Sequence, residues 1–163
     1  MTSLMLIPAL LSITACQAMH SSDPSSMFFN IPSESTLSLN KDLEITSENT
    51  HALIQAGKSI TKKERNEYDI NCRLDFKKFG PRTVKPETFI INRTEDGSEW
   101  FSQPTIKRFY TEVYLSSEKD TDIIKLECQT WGDGIDRNFT VTEMQQALGD
   151  LLTFDFAINK SDK

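Results

Sequence analysis

Apolar and polar residues alternate along most of the chain beyond residue 36, and this period of two predicts half-buried β-strands. In INCRLDF (70–76) every second residue is apolar, so one face of this strand would be buried. The runs IKRFYTEVYL (106–115) and TDIIKLECQTW (121–131) are separated by the polar SSEKD, which predicts a hairpin. Shorter runs, LSLNKDLEI, HALIQAG and ETFIIN, bring the expected number of strands to six or seven. A turn at EDGS would end the last of them.

One segment, FTVTEMQQALGDLL near the C-terminus, has the pattern of a helix. Thr140 and Glu143 have the spacing of a capping box. Gly149 predicts a close approach to a neighbouring strand. The apolar stripe at helical spacing consists of Met144, Ala147, Leu148, Leu151 and Leu152. We therefore expect an α+β, mainly β fold: an antiparallel sheet, or a small sandwich or barrel, with this C-terminal helix packed on it.

The first 15 residues carry no charged side chain, and their apolar run from Leu4 to Leu11 is about half the roughly 20 residues that a spanning helix needs. This length predicts a signal peptide over 1–15, although no basic residue precedes the run. The motif ITAC resembles the lipobox of bacterial lipoproteins, in which the cysteine is acylated and becomes the mature N-terminus. The resemblance implies that Cys16 carries the lipid, and Gln17 after it goes with sorting to the outer membrane. An ordinary secretory signal peptide is the alternative.

Residues 16–36 are rich in serine and proline and have no period, so we expect a flexible tether behind the lipidated cysteine. Phe28 and Phe29 interrupt this polar segment, and we expect them to dock on the domain rather than on a partner. A single β-rich globular domain is expected over 37–158. The polar residues 159–163 would form a disordered tail.

Two cysteines remain once Cys16 is assigned to lipid, and an oxidising compartment favours a disulfide between Cys72 and Cys128. Both lie in strand-patterned runs, so the bridge would join two strands. It would close a loop of about 57 residues, which is worth roughly 4 kcal/mol on the chain-entropy view of disulfides. A reactive thiol or half of a metal site is less favoured, because no histidine or third cysteine is near.

Charge is unevenly distributed along the chain. The net charge of -6 and the pI near 5.0 argue against a nucleic-acid-binding protein, which needs a basic footprint. From Lys58 to Arg93, however, there are ten basic and five acidic residues. This excess predicts a binding surface for anionic lipid headgroups or an acidic envelope protein, and a simple solvated face is the alternative. The candidate residues are Lys58, Lys62, Lys63, Arg65, Lys77, Lys78, Arg82 and Lys85.

Motifs for catalysis or metal binding are weak. SITK (59–62) matches the Ser-x-x-Lys pattern of serine β-lactamases, but it lies in a strand or turn context without the further motifs. His51 is the only histidine outside the tether. The loop WGDGIDRN places Asp133, Asp136 and Asn138 together, yet lacks the spacing of a calcium loop. We expect no metal, no cofactor and no enzymatic activity.

The segments HALIQAGKSI, YDINCRLDF, FYTEVYLSSEKDTDIIKLECQTW and MQQALGDLLTF occur in an order that resembles a group of small proteobacterial envelope lipoproteins. The resemblance covers roughly residues 45–154 and implies no particular activity, substrate or catalytic residue. We expect a membrane-anchored lipoprotein, at the outer membrane and facing the periplasm, with a non-catalytic binding or scaffolding domain. A small periplasmic hydrolase or an inhibitor of a muralytic enzyme is the alternative.

Overall fold

The computed structural model describes residues 21–101, 105–119 and 121–157. Ten strands and one helix form within these ranges. In chain order they are β1 (Thr36–Leu39), β2 (Leu43–Ile45), β3 (His51–Gln55), β4 (Lys58–Ile60), β5 (Asn71–Phe76), β6 (Arg82–Val84), β7 (Glu87–Trp100), β8 (Ile106–Ser116), β9 (Ile123–Asp133), α1 (Val141–Leu148) and β10 (Leu152–Asp155).

Eight of the strands form one antiparallel sheet in the order β10-β1-β7-β8-β9-β5-β3-β4, while β2 and β6 form a separate ribbon. The sheet curls, and helix α1 packs on its inner face. The core between them contains fully buried side chains from several strands of the sheet and from the helix, among them Leu37, Leu74, Phe89, Leu126 and Leu148. The predicted mainly β fold with one C-terminal helix is therefore confirmed.

The described residues contain ten strands, whereas the sequence predicts six or seven. The run LSLNKDLEI divides into β1 and β2, which pair with different strands. Strands β4 and β6 have only three residues each, too few for an alternating pattern to be visible. Their positions are set by long-range pairing, which local sequence does not reveal.

The turn predicted at EDGS is wrong, because these residues continue β7 and pair with β8. Gly97 lies opposite Tyr110, and a Cβ at Gly97 would overlap the Tyr110 ring. The glycine therefore serves to admit an aromatic ring on the face of a long strand.

The capping box at the start of α1 is confirmed, with the Thr140 hydroxyl accepting from the Glu143 backbone N–H and the Glu143 carboxylate accepting from that of Thr140. The helix ends at Leu148, before the predicted Leu151 and Leu152, because Gly149 has φ +56°. The Gly149 backbone lies against Gly57 in the β3–β4 turn, and a Cβ at Gly149 would lie 2.7 Å from the Gly57 Cα. The expected close approach to a neighbouring strand thus occurs at the turn of a hairpin.

Strand β10 is one edge of the sheet, and a helix side chain covers it. Gln145 Nε2 donates to the Leu152 carbonyl oxygen at 2.9 Å, and Gln145 Oε1 accepts from the Phe154 N–H at 2.9 Å. The amide group therefore takes the place that a neighbouring strand would have.

Residues 21–35 pack against the domain. Ile31 is buried, and the Phe29 ring lies 5.2 Å from that of Phe156 in an edge-to-face contact. The Thr142 N–H at the start of α1 donates to the Pro24 carbonyl oxygen at 3.2 Å. Phe29 thus docks on the domain as expected, whereas Phe28 stays 54% exposed.

This packing changes the predicted division of the chain. The part of the 16–36 segment that the structure describes lies on the domain instead of forming a free tether. The predicted signal peptide, Cys16 and the tail at 159–163 lie outside the described residues, and they remain predictions.

Candidate functional site

The predicted disulfide is present. Cys72 in β5 and Cys128 in β9 are direct register partners, with their Cα atoms 4.0 Å apart and both side chains fully buried. The bridge therefore joins two adjacent central strands, which is a structural role.

The outer face of the sheet carries a row of three glutamates, because Glu95, Glu112 and Glu127 are register partners across β7, β8 and β9. Like charges in direct opposition destabilise a sheet unless cations compensate them. Glu127 is the most buried of the three, with a side chain only 8% exposed. It forms ion pairs with Arg73 at 3.2 Å, with Lys125 at 2.8 Å and with Arg108.

The ionisation of this network follows from its mutual pairing. Burial works to raise the pKa of Glu112, but hydrogen bonds from Lys125 and Tyr114 outweigh it and lower the pKa. Burial works to lower the pKa of Lys125, but its bonds to Glu112 and Glu127 raise it. These groups therefore stay charged at neutral pH and hold one another in place, which favours a structural network over acid or base chemistry.

His51 lies in a cleft of about 390 Å³ beside the edge strand β4, together with Ser59 and Lys62 of the SITK motif. Burial and then the nearby charge of Arg73 lower the pKa of His51, so the imidazole is neutral at pH 7. Ser59 pairs with Ile54, which lies three residues along β3 from His51. The Cα atoms of Ser59 and His51 are therefore about 10 Å apart along the strand direction. The cleft thus does not place the hydroxyl against the imidazole as a nucleophile and base require.

Five of the eight predicted surface cations form what we call the lysine surface, and all five are exposed and form no ion pair with any described residue. Two loops carry four of them, and both loops adjoin the turn at 46–50. Asn49 of this turn lines the cleft with Lys62, and its carbonyl oxygen accepts the N–H of Gly80 at 3.2 Å. The members are Lys58, Lys62, Lys63, Lys77 and Lys78.

The other three predicted cations are engaged in ion pairs. Arg65 pairs with Glu67. Arg82 pairs with Asp122 at 3.1 Å and lies over the Phe76 ring, and Lys85 pairs with Asp42 at 2.7 Å. We therefore exclude Arg65, Arg82 and Lys85 from the lysine surface.

Three aromatic side chains gather at the loop end of the β7–β8 hairpin, the half-buried Trp131 and the exposed Tyr68 and Phe101, and the sequence did not reveal this cluster. The Trp131 ring lies 4.6 Å from that of Phe101 and 5.9 Å from that of Tyr68. Tyr68 precedes β5 and Phe101 follows β7, and only tertiary packing brings them to Trp131.

No protein-family model, no curated protein and no solved structure matches the chain. In the part of the chain that the structure describes, no helix is both long and apolar enough to cross a membrane.

The described residues contain no group of three or more acidic, histidine or cysteine side chains that could hold a metal. In the WGDGIDRN loop, Asp136 accepts the N–H of Asp133 at 2.6 Å, which is turn geometry.

Proposed function

We propose that the protein is a lipid-anchored envelope lipoprotein whose domain works by binding an acidic partner, without catalysing a reaction. The observation that carries the proposal is the lysine surface, where five lysines are exposed and free of ion pairs to the described residues, and four of them adjoin one turn of a chain with net charge -6. Such a local excess of positive charge steers an anionic partner toward it.

The anchor rests on the lipobox-like ITAC, in which Cys16 would be acylated and hold the protein at the outer membrane facing the periplasm. The two loops of the lysine surface are held by ordered strands, because one follows the β3–β4 hairpin and the other follows the disulfide-linked strand β5. An inhibitor of an acidic muralytic enzyme would be one instance of this binding function.

The orientation of the domain favours a protein partner over lipid headgroups for the lysine surface. Pro24 contacts the N-terminal end of α1, whereas Gly57, next to Lys58, contacts its C-terminal end. Lys58 and the segment that leads to the anchor therefore lie at opposite ends of the helix.

The test is a charge reversal with a matched control. Lys62→Glu with Lys77→Glu changes the net charge by -4, and so does Lys41→Glu with Lys85→Glu. Lys41 and Lys85 lie toward the Leu43–Val84 end of the β2–β6 ribbon, away from the turn at 46–50. We expect cross-linking in intact cells to lose the partner with the first pair and to keep it with the second, although loss of the exposed Lys85–Asp42 ion pair lowers the stability of the second by about 1 kcal/mol or less.

Binding should also weaken with added salt, because the Debye length falls from about 10 Å at 0.1 M to about 3 Å at 1 M. If both variant pairs lose the cross-links, or if both keep them, the lysine surface is a solvated face.

A further inference from the structure

Four large apolar side chains form an exposed arc at the place where the chain leads toward its anchor. Met27 and Phe28 are 42% and 54% exposed in the N-terminal segment, and Ile135 is 95% exposed in the loop after β9. Trp100 at the end of β7 is 60% exposed. We call these side chains, with Lys107 and Arg137 between them, the interface patch.

Direct contacts make the arc continuous. Arg137 Nη1 lies 3.4 Å from Met27 Sδ, which joins the N-terminal segment to the loop of Ile135. Gly134, the neighbour of Ile135, lies directly under the Trp100 ring, where a Cβ would overlap it. Lys107 Nζ lies 5.7 Å from the centre of the same ring. Tryptophan and other apolar side chains beside lysine and arginine are the composition of a protein surface at the membrane interface.

The length of chain between the patch and the anchor is short. The Ser21 N–H donates to the Phe28 carbonyl oxygen at 3.1 Å, so the described chain begins at the patch. Five residue steps separate Ser21 from Cys16, which reach about 18 Å at most when fully extended. An acyl chain on Cys16 would therefore keep the patch within about 18 Å of the lipid, which is roughly two to four times the depth of the headgroup layer, about 5–8 Å on each side of the bilayer.

We infer that the interface patch lies in the headgroup region of the membrane, with Met27, Phe28, Trp100 and Ile135 inserted and Lys107 at the phosphates, while Arg137 stays in its ion pair with Glu143 at 2.7 Å. The inference rests on the proposed anchor at Cys16. Contact between the patch and the lipid thus fixes the orientation of the domain, whereas a tether alone would only keep the domain close to the membrane. The lysine surface is then presented toward the periplasm.

The full acylated chain, purified from membranes and reconstituted in vesicles of phosphatidylethanolamine and phosphatidylglycerol, tests the inference. The protein has two tryptophans, so Trp131→Phe leaves Trp100 as the only one. Brominated lipids quench tryptophan fluorescence at the depth of their bromine atoms. We expect strong quenching of Trp100, and a several-fold smaller effect after Phe28→Asp with Ile135→Asp in the same background. Phe79→Asp is the matched control, because Phe79 is 69% exposed outside the patch, and it should leave the quenching unchanged.

Mass spectrometry of Cys16 distinguishes a failure of the proposed anchor from a failure of the proposed insertion of the patch. A chain without acyl mass at Cys16 overturns the anchor, and this inference with it. An acylated, vesicle-bound chain whose Trp100 is not quenched overturns the inference alone. If the patch variants instead lose a cross-linked protein while quenching is absent, the patch binds a protein and the lipid assignment is wrong.

Discussion

Glu127 lies on the outer face of the sheet, where a glutamate would ordinarily be solvated, yet it is nearly buried under Arg73, Arg108 and Lys125. Each of these cations also has a second carboxylate partner, Asp75, Glu99 or Glu112, so the loss of Glu127 leaves it only partly compensated. We expect Glu127→Gln to lower the free energy of unfolding by about 1.5 to 3 kcal/mol, the usual worth of hydrogen bonds to a charged group.

Glu95 is the matched control for Glu127, since it ends the same cross-strand row but its side chain is 54% exposed in its pair with Arg93. Glu95→Gln should cost about 1 kcal/mol or less. Urea denaturation of both variants, with the disulfide intact, measures the difference. Equal losses would mean that the network does not depend on burial.

The residues of the lysine surface could be found from the sequence only as part of a larger group. Counting charges between Lys58 and Arg93 identifies all eight candidate cations. It cannot identify the ion pairs of Arg82 with Asp122 and of Lys85 with Asp42, because those carboxylates are 40 and 43 positions away. The interface patch was missed for the same reason, since its members come from three separate segments.

At the scale of elements, the contact between Gly149 and Gly57 locks the end of α1 to the β3–β4 hairpin. The backbone at Gly149 has a positive φ, and a side chain there would also press on the Gly57 backbone. We expect Gly149→Ala to be destabilising on both grounds, because a non-glycine residue in such a conformation costs about 1 to 3 kcal/mol and overpacking costs a similar amount.

Gly80→Ala separates the two contributions, because Gly80 also has a positive φ but has nothing within 4 Å of the site of a Cβ. Thermal unfolding should show Gly149→Ala to be worse than Gly80→Ala by about 1 to 3 kcal/mol. A smaller loss for Gly149→Ala would mean that the hairpin moves aside readily.

Elements with a clear sequence pattern, either alternation or a capping box, could be predicted from the sequence, but the residues at which they end could not. Alternation predicted β5, β8 and β9, and the capping box predicted the start of α1. The end of α1 depends on Gly57 from a distant hairpin, and the length of β7 depends on its pairing with β8. Those partners are chosen by the tertiary fold.

For the molecule as a whole, Cys72 and Cys128 belong to the fold, and we propose that Cys16 belongs to the anchor. Cys72→Ala should lower the stability of the domain by about 2 to 5 kcal/mol, the usual cost of losing a native disulfide. Cys16→Ser should leave that stability unchanged and abolish labelling by a clickable palmitate analogue. Denaturation and labelling of both variants give the comparison. Equal labelling of wild type and Cys16→Ser would contradict the proposed anchor.

The proposed anchor at Cys16 adds importance to the Gln145 amide that covers β10. Molecules anchored in one membrane meet repeatedly in the same orientation, so an open strand edge would invite neighbouring copies to add strand to strand. At the other edge of the sheet, β4 has only three residues and begins with a lysine. With one edge covered by a glutamine and the other short and charged, a crowded layer of these domains would remain a layer of separate molecules.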